Sequence, residues 1–270
     1  MENSQTSTMK VCIIQPYITE DYEMNCENIS KYSHSSVKIH SPDLVVLPEF
    51  WINSNEEKLF SLAEKEEISK SLAFLKNLSK ELNTFLIGGS IPELENSKVY
   101  NTCYCFDNKG NIIAKHRQAH FINHNKNFSS GDSFTICKTP FANIGIGLGE
   151  DLRFMEYSQI LKKKGCNLIV IPTSYHKYEE YDNYKIITQG RSLDNNIYLI
   201  TSCPYYKDKE NKLSGYSQIV NPYGEIIINS SNQEGIIMGV IDFSIIDKIQ
   251  DSIPTLKQKR FDLYELISLS

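Results

Sequence analysis

Ile144-Gly-Ile-Gly-Leu-Gly-Glu-Asp-Leu-Arg-Phe-Met-Glu156 reads as a buried strand, a tight turn and the start of a helix. The apolar run supplies the strand, the glycines punctuate it, and the polar residues behind them open a helix. A strand-to-helix turn of this kind sits at the edge of a sheet where α/β enzymes place an attacking atom. Gly149 occupies that turn. With no side chain it cannot attack a carbonyl or nitrile carbon, so covalent thiol catalysis at this position is excluded. Gly145, Gly147 and Gly149 do not follow the G-x-G-x-x-G spacing, the run lies mid-chain, and a Walker sequence is missing, so a nucleotide site is a weak reading.

Working outward, strand-like runs bounded by turn residues recur at Lys10–Gln15, Leu44–Leu47, Phe85–Gly88, Thr102–Phe106, Ile144–Leu148, Leu168–Ile171, Ile197–Ser202, Ser217–Asn221 and Ile236–Ile241. Helical spacing is expected over Glu56–Leu82, with Leu59, Leu62, Ala63, Ile68, Leu72, Leu75 and Leu78 available for a buried face, and over Phe154–Lys164 and Asp182–Asn195. Strands such as Leu44-Val-Val-Leu47 and Leu168-Ile-Val-Ile171 are apolar throughout, which predicts burial on both faces and therefore sheets covered by helices. Turn residues in Asp107-Asn-Lys-Gly110 and Asn221-Pro-Tyr-Gly224 predict hairpins, so the sheets are mixed. The 270 residues fit one large α/β domain over 9–270, preceded by a loose polar tail over 1–8 with no features of a targeting signal.

A formal charge of −5, with Lys162-Lys-Lys164 as the only compact basic run, argues against a nucleic-acid footprint. That run reads as a solvated helix C-terminus. No apolar stretch approaches the roughly 18 residues of a membrane span. Seven cysteines, odd in number and without C-x-x-C pairing, sit mostly in apolar runs and fit a reducing, cytoplasmic setting.

Glu49, in Val45-Val-Leu-Pro-Glu-Phe-Trp51, leaves a buried strand at its C-terminal end. The residues alone leave a site carboxylate and a solvent-facing loop glutamate equally open. Cys203, in Thr201-Ser-Cys-Pro204, is the best spare thiol, with no local partner to activate it, and reads as a structural cysteine. His116, His120 and His124 recur every four residues, but the strand and loop composition there, without an H-E-x-x-H pattern, argues against a metal face. Tyr175, Tyr178, Tyr181 and Tyr184 form a ladder read as local packing, with a docking surface or a narrowed pocket entrance as the sharper alternatives.

Three stretches together resemble the carbon–nitrogen hydrolases of the nitrilase superfamily: Leu47-Pro-Glu-Phe50, Ala114-Lys-His-Arg-Gln-Ala-His-Phe121 and the glycine turn followed by Asp151-Leu-Arg-Phe154. Further segments look like the omega-amidase-like members: Ile87-Gly-Gly-Ser-Ile-Pro-Glu93, Val99-Tyr-Asn-Thr-Cys103, Gly131-Asp-Ser-Phe134, Gly190-Arg-Ser-Leu-Asp-Asn195, Val220-Asn-Pro-Tyr-Gly-Glu225 and Ile253–Tyr264. The resemblance implies a four-layer α-β-β-α sandwich that dimerises, with Glu49 at the general-base position, Gln118 at the lysine position and Gly149 at the cysteine position. It places Glu150, Arg153 and Tyr175 as pocket candidates and implies no cofactor and no metal. Glutamine offers an amide dipole in place of a cation's pull on a developing oxyanion. Lys115 is no substitute, because three residues along a strand turns its side chain to the other face. The loop between Phe121 and Gly131 is shorter than in the resembled proteins by roughly ten residues and carries no acidic residue.

Absence of the nucleophile, of the cation and of the additional glutamate that the resembled proteins carry in this loop, on an intact framework, implies a catalytically silent member kept for binding a small amide or carboxylate, or for assembly. Two other readings stay open. One is an amidase in which Glu49 drives water directly onto the substrate; the other is a regulatory subunit that pairs with an active homologue.

Overall fold

In the computed structural model, residues 8–122, 127–174, 181–206, 215–253 and 258–269 are described. The first strand, β1 (Thr8–Gln15), includes Thr8, which was expected to lie in a loose tail; residues 1–7 lie outside the described residues. The elements that follow are α1 (Tyr22–His40), β2 (Leu44–Val46), α2 (Glu56–Leu59), α3 (Lys70–Leu82), β3 (Phe85–Ile87), β4 (Ile91–Glu95), β5 (Lys98–Phe106), β6 (Ile112–Arg117), β7 (Thr135–Lys138) and β8 (Asn143–Ile146). After them come α4 (Met155–Lys163), β9 (Leu168–Pro172), α5 (Tyr181–Asn195), β10 (Tyr198–Ser202), β11 (Gln218–Val220), β12 (Ile226–Asn229), β13 (Gly235–Asp242) and α6 (Ser244–Ser252).

Two mixed sheets result. One runs β13-β1-β2-β3-β5-β4, with β6 on the other edge of β5; the second runs β12-β11-β10-β9-β8-β7. Each has a parallel centre, β1-β2-β3 in the first and β8-β9-β10 in the second. Both expected hairpins form, with Gly110 and Gly224 at positive φ in their turns.

Side-chain alternation along the strands builds four layers. On β1, Val11 and Ile13 face the second sheet and meet Ile144, Ile146, Leu168 and Val170 in a core between the sheets. Cys12 and Ile14 point the other way, with Val45 and Leu86, against Ile29 of α1 and Leu72, Leu75 and Leu78 of α3. On the second sheet, Ile169, Ile171 and Leu199 pack outward on Tyr157 and Leu161 of α4 and Tyr184 of α5. Each such fully buried aliphatic side chain contributes about 1.5–3 kcal/mol relative to exposure. Gly145 and Gly147 serve this packing, not a nucleotide. A Cβ on Gly147 would lie 2.6 Å from Ile171 Cδ1 and one on Gly145 3.0 Å from Leu161 Cδ1.

The continuous helix expected over Glu56–Leu82 is broken. After α2 the chain makes 3-10 turns at Phe60–Leu62 and Glu66–Ile68, and α3 starts only at Lys70. Between those turns Glu64 pairs with the edge of β4: its N–H donates to Pro92 O (3.2 Å), and its C=O accepts from Leu94 N (2.8 Å). Edge pairing wins over helix propensity here, and Ile68, expected on the buried face, is 81% exposed.

Candidate active site

The C-terminal ends of the parallel strands gather the site. Beyond β2, Leu47-Pro48 carries Glu49 into the interior, where it is 4% exposed. The backbone is held in a costly shape there. Phe50 has φ 49, a left-handed conformation for an aromatic residue, and its N–H donates to Ser90 Oγ (3.1 Å). Gly89, at φ 64, lies so close to Pro48 that a Cβ would stand 2.0 Å from its carbonyl oxygen. The glycine pair Gly88-Gly89 thus lets one loop press on another and fix Glu49.

Three chain segments meet at that carboxylate. Asn101 of β5 donates from Nδ2 to Glu49 Oε1 (2.8 Å) and to Gln118 Oε1 (2.7 Å), joining the two side chains. Ser174, two residues past β9, donates its backbone N–H (2.7 Å) and its hydroxyl (2.9 Å) to Glu49 Oε2. Gly149, at φ 46, completes the ring. A Cβ there would lie 2.9 Å from Glu49 Oε1, 3.3 Å from Oε2 and 3.4 Å from Gln118 Nε2. Glu49, Gln118 and Gly149, far apart in the chain, therefore converge on one point.

Lys115 is turned away as expected. Its ammonium contacts Glu66 (2.6 Å) and the buried Glu93 (2.5 Å) on the helix-covered face. Arg117 joins the same Glu93 through two hydrogen bonds of 2.9 and 2.7 Å. Burial raises the Glu93 pKa, but hydrogen bonds from Arg117, Lys115 and Thr102 outweigh it and hold the carboxyl below its usual range.

The turn after Gly149 is anchored by Asp151, which is fully buried. Its Oδ1 accepts from Ala119 N (3.1 Å) and His120 N (2.9 Å) and lies 2.8 Å from His120 Nδ1. Its Oδ2 accepts from Leu148 N (3.0 Å) and lies 3.2 Å from His116 Nε2. Burial pushes this carboxyl's pKa up, and the hydrogen bonds to His116 and His120 override that and bring it below the ordinary value. One side chain thus ties β6 and the residues after it, among them Gln118, to the turn carrying Gly149. Gln118 Nε2 also donates to His120 O (2.8 Å), which fixes the amide's orientation.

The remaining candidates divide. Glu150 points aside and accepts from the N–H of Ile122, holding the loop after β6. Arg153 is half-buried, and its carbonyl accepts from Arg191 (2.7 Å), the arginine of the Gly190–Asn195 motif. Tyr175, Tyr178 and His124 lie outside the described residues. Tyr181 and Tyr184 pack locally, Tyr181 against Tyr216 at 4.5 Å and Tyr184 buried with its hydroxyl on Thr201 Oγ1. Cys203 is buried 3.9 Å from the Tyr184 hydroxyl, and burial foremost pushes its thiol up to about 12, so it is no thiolate at neutral pH. Among the described residues no group of three or more His, Cys, Asp or Glu is placed to hold a metal ion. Phe128 packs against Phe50, the residue after Glu49, at 5.6 Å and against Phe121 at 6.0 Å, within the helix-side core.

Asn101, Asp151 and Ser174 were missed as site residues. Asn101 and Asp151 stood inside quoted motifs, and Ser174 follows an apolar parallel strand just as Glu49 does.

A two-sheet sandwich with a carboxylate, an amide and a nucleophile-elbow turn meeting at the strand ends defines a class, and sequence comparison agrees with it. The chain belongs to the carbon–nitrogen hydrolase family, whose profile matches residues 10–250. Among individual relatives, it is 31% identical to omega-amidase NIT2 of Xenopus tropicalis over 265 residues, 94% of each chain. It is 34% identical to omega-amidase NIT2 of Homo sapiens over 232 residues, 82% of this chain and 84% of that one. The crystal structure of Saccharomyces cerevisiae Nit3, a member of branch 10 of the nitrilase superfamily, superposes with a TM-score of 0.87 at 27% identity, covering 94% of this chain and 97% of that one. A carbon–nitrogen hydrolase from Helicobacter pylori shares the fold, with a TM-score of 0.86 at 21% identity over 96% of this chain and 97% of its own.

Proposed function

We infer that this chain is an omega-amidase-like member of the family that has lost thiol catalysis and retains its pocket to hold a small amide. One observation carries the reading. The point where a nucleophilic side chain would start at Gly149 is within 2.9 Å of the Glu49 carboxylate and 3.4 Å of the Gln118 amide, and it holds no sulfur. Glu49 accepts hydrogen bonds and Gln118 Nε2 donates them, a pair that suits the NH2 and C=O of a carboxamide. A carboxylate ligand would meet the Glu49 charge and is disfavoured. Without a cation at Gln118, an oxyanion formed from that carbonyl would gain only dipole stabilisation.

Two measurements test this. Turnover of a dicarboxylic monoamide is expected to stay below about 1 per second, an ordinary enzyme rate. A small amide at 100 times its dissociation constant is expected to add about 2.7 kcal/mol of stability, and Glu49→Gln to remove that shift. Ordinary turnover, or no shift with any small amide, overturns the reading.

Pairing with a second chain, either another copy or an active homologue, belongs to the same proposal. Exposed Met155 on α4 and Ile186 and Leu193 on α5 support it, as do Phe261, Leu263 and Ile267 in the segment that Lys163 tethers through Glu265. Sedimentation of the native protein would give twice the chain mass; a monomer at micromolar concentration would remove this part. The seven free thiols support a reducing, cytoplasmic setting.

A further inference from the structure

We propose that Ser174 is an oxygen nucleophile activated by Glu49, and that the pocket accepts acyl groups from activated esters, a chemistry distinct from amide hydrolysis through a thiol. The hydroxyl donates to Glu49 Oε2 at 2.9 Å, so its proton already lies on the path to a base. Glu49 is buried and fixed by Asn101 at its other oxygen, while Ser174 is less deeply buried than the carboxylate it contacts. The point where a Cβ of Gly149 would stand lies within 3.3 Å of both carboxylate oxygens and 3.4 Å from Gln118 Nε2, so a neutral donor for the acyl oxygen faces the same carboxylate that activates the hydroxyl.

The step balances within these groups. Ser174 Oγ bonds to the acyl carbon and its proton passes to Glu49 Oε2. The bond from carbon to the aryl oxygen breaks, and the aryloxide departs with the proton Glu49 returns. Water then attacks the acyl-serine with Glu49 again as base, releasing the carboxylic acid and restoring the hydroxyl. The neutral Gln118 favours esters over amides, because an aryloxide leaves far more readily than an amine and demands less stabilisation of the oxyanion. The proposal rests on the pocket being retained, as inferred above.

The probe is a fluorophosphonate, which forms an Oγ–P bond as fluoride leaves, followed on the full chain by peptide mass mapping; 4-nitrophenyl acetate hydrolysis gives the rate. A single adduct on Ser174 of the unaltered protein is expected. Ser174→Ala should bring hydrolysis to the uncatalysed background, and Glu49→Gln should lower it by about 10²-fold or more. Mapping the unaltered chain keeps the test valid even if a variant fails to fold. Adducts elsewhere with Ser174 unlabelled, or no adduct at all, overturn the proposal. Prior addition of a small amide separates the two inferences. Protection of Ser174 supports both, and labelling without protection supports the nucleophile while removing the amide-binding reading. Amide stabilisation without labelling does the reverse.

Discussion

At the scale of single residues, Gly149 and Asp151 do different work: one lets the turn approach Glu49 closely and the other ties that turn to its neighbours. Introducing a thiol at Gly149 would place it against a carboxylate on a left-handed backbone, costing about 1–2 kcal/mol for the conformation and holding the thiol protonated beside the negative charge. Gly149→Cys is therefore expected to be alkylated slowly by iodoacetamide at neutral pH. The double variant with Gln118→Lys should react about tenfold faster, the equivalent of one pKa unit. Equal rates would show that the Gln118 position exerts no field at Gly149. Asp151→Asn leaves its histidine and backbone partners without their charge and is expected to cost about 3–5 kcal/mol in urea denaturation. The folded pKa of Asp151 is below its unfolded value of 3.8, so its contribution is complete above that value and fades as pH falls through the folded pKa. The variant's deficit should shrink on acidification below about pH 4; a deficit independent of pH would mean that the charge is irrelevant. Glu49, Gln118 and Gly149 were legible because each stands in a recognisable motif. Ser174 was not, since a serine after a strand carries no pattern until the fold brings it to Glu49.

Among the elements, the apolar parallel strands read clearly, and every strand expected from its hydrophobic run is present. α1 did not read at all. Its buried positions Asn25, Ser33 and Ser36 are polar, with Ile29 the one fully buried aliphatic, and Tyr22, Cys26, Tyr32 and Val37 pack only partly buried beside it, so the hydrophobic stripe is weak in the sequence. Its signal is a cap, the Asp21 carboxylate accepting from Met24 N (3.1 Å). The broken stretch before α3 has the same lesson. Ser69 Oγ accepts from Leu72 N (2.9 Å) and donates to Glu64 Oε2 (2.6 Å), so the helix begins where its cap sits and not where the periodicity starts. Ser69→Ala is expected to lower stability by about 1 kcal/mol, read as a lower denaturation midpoint at unchanged slope. No change would mean that Glu64, which also accepts from Ser71 N, caps the helix alone.

For the whole molecule, the seam between the sheets is the shared core, and it is tight. Gly239 of β13 comes so near the second sheet that a Cβ would lie 2.3 Å from Ile219 Cδ1. Gly239→Ala is expected to cost about 1–3 kcal/mol through overpacking. Adding Ile219→Val should recover part of that cost, and strictly additive losses would place the strain elsewhere. Layer order was not readable from alternation alone, because strands buried on both faces do not say which face meets a helix; the family resemblance supplied it. The first sheet takes its strands from β1 to β6 and then its last from β13, so Thr8 pairs with Asp242 and Gln15 with Gly235. A ribosome must therefore emit the chain from Thr8 through Gly235 and beyond before β1 finds its outer neighbour. Until then one flank of that strand offers bare amides and carbonyls to any other extended peptide, making the interval before Gly235 emerges the window in which nascent chains would stick to one another.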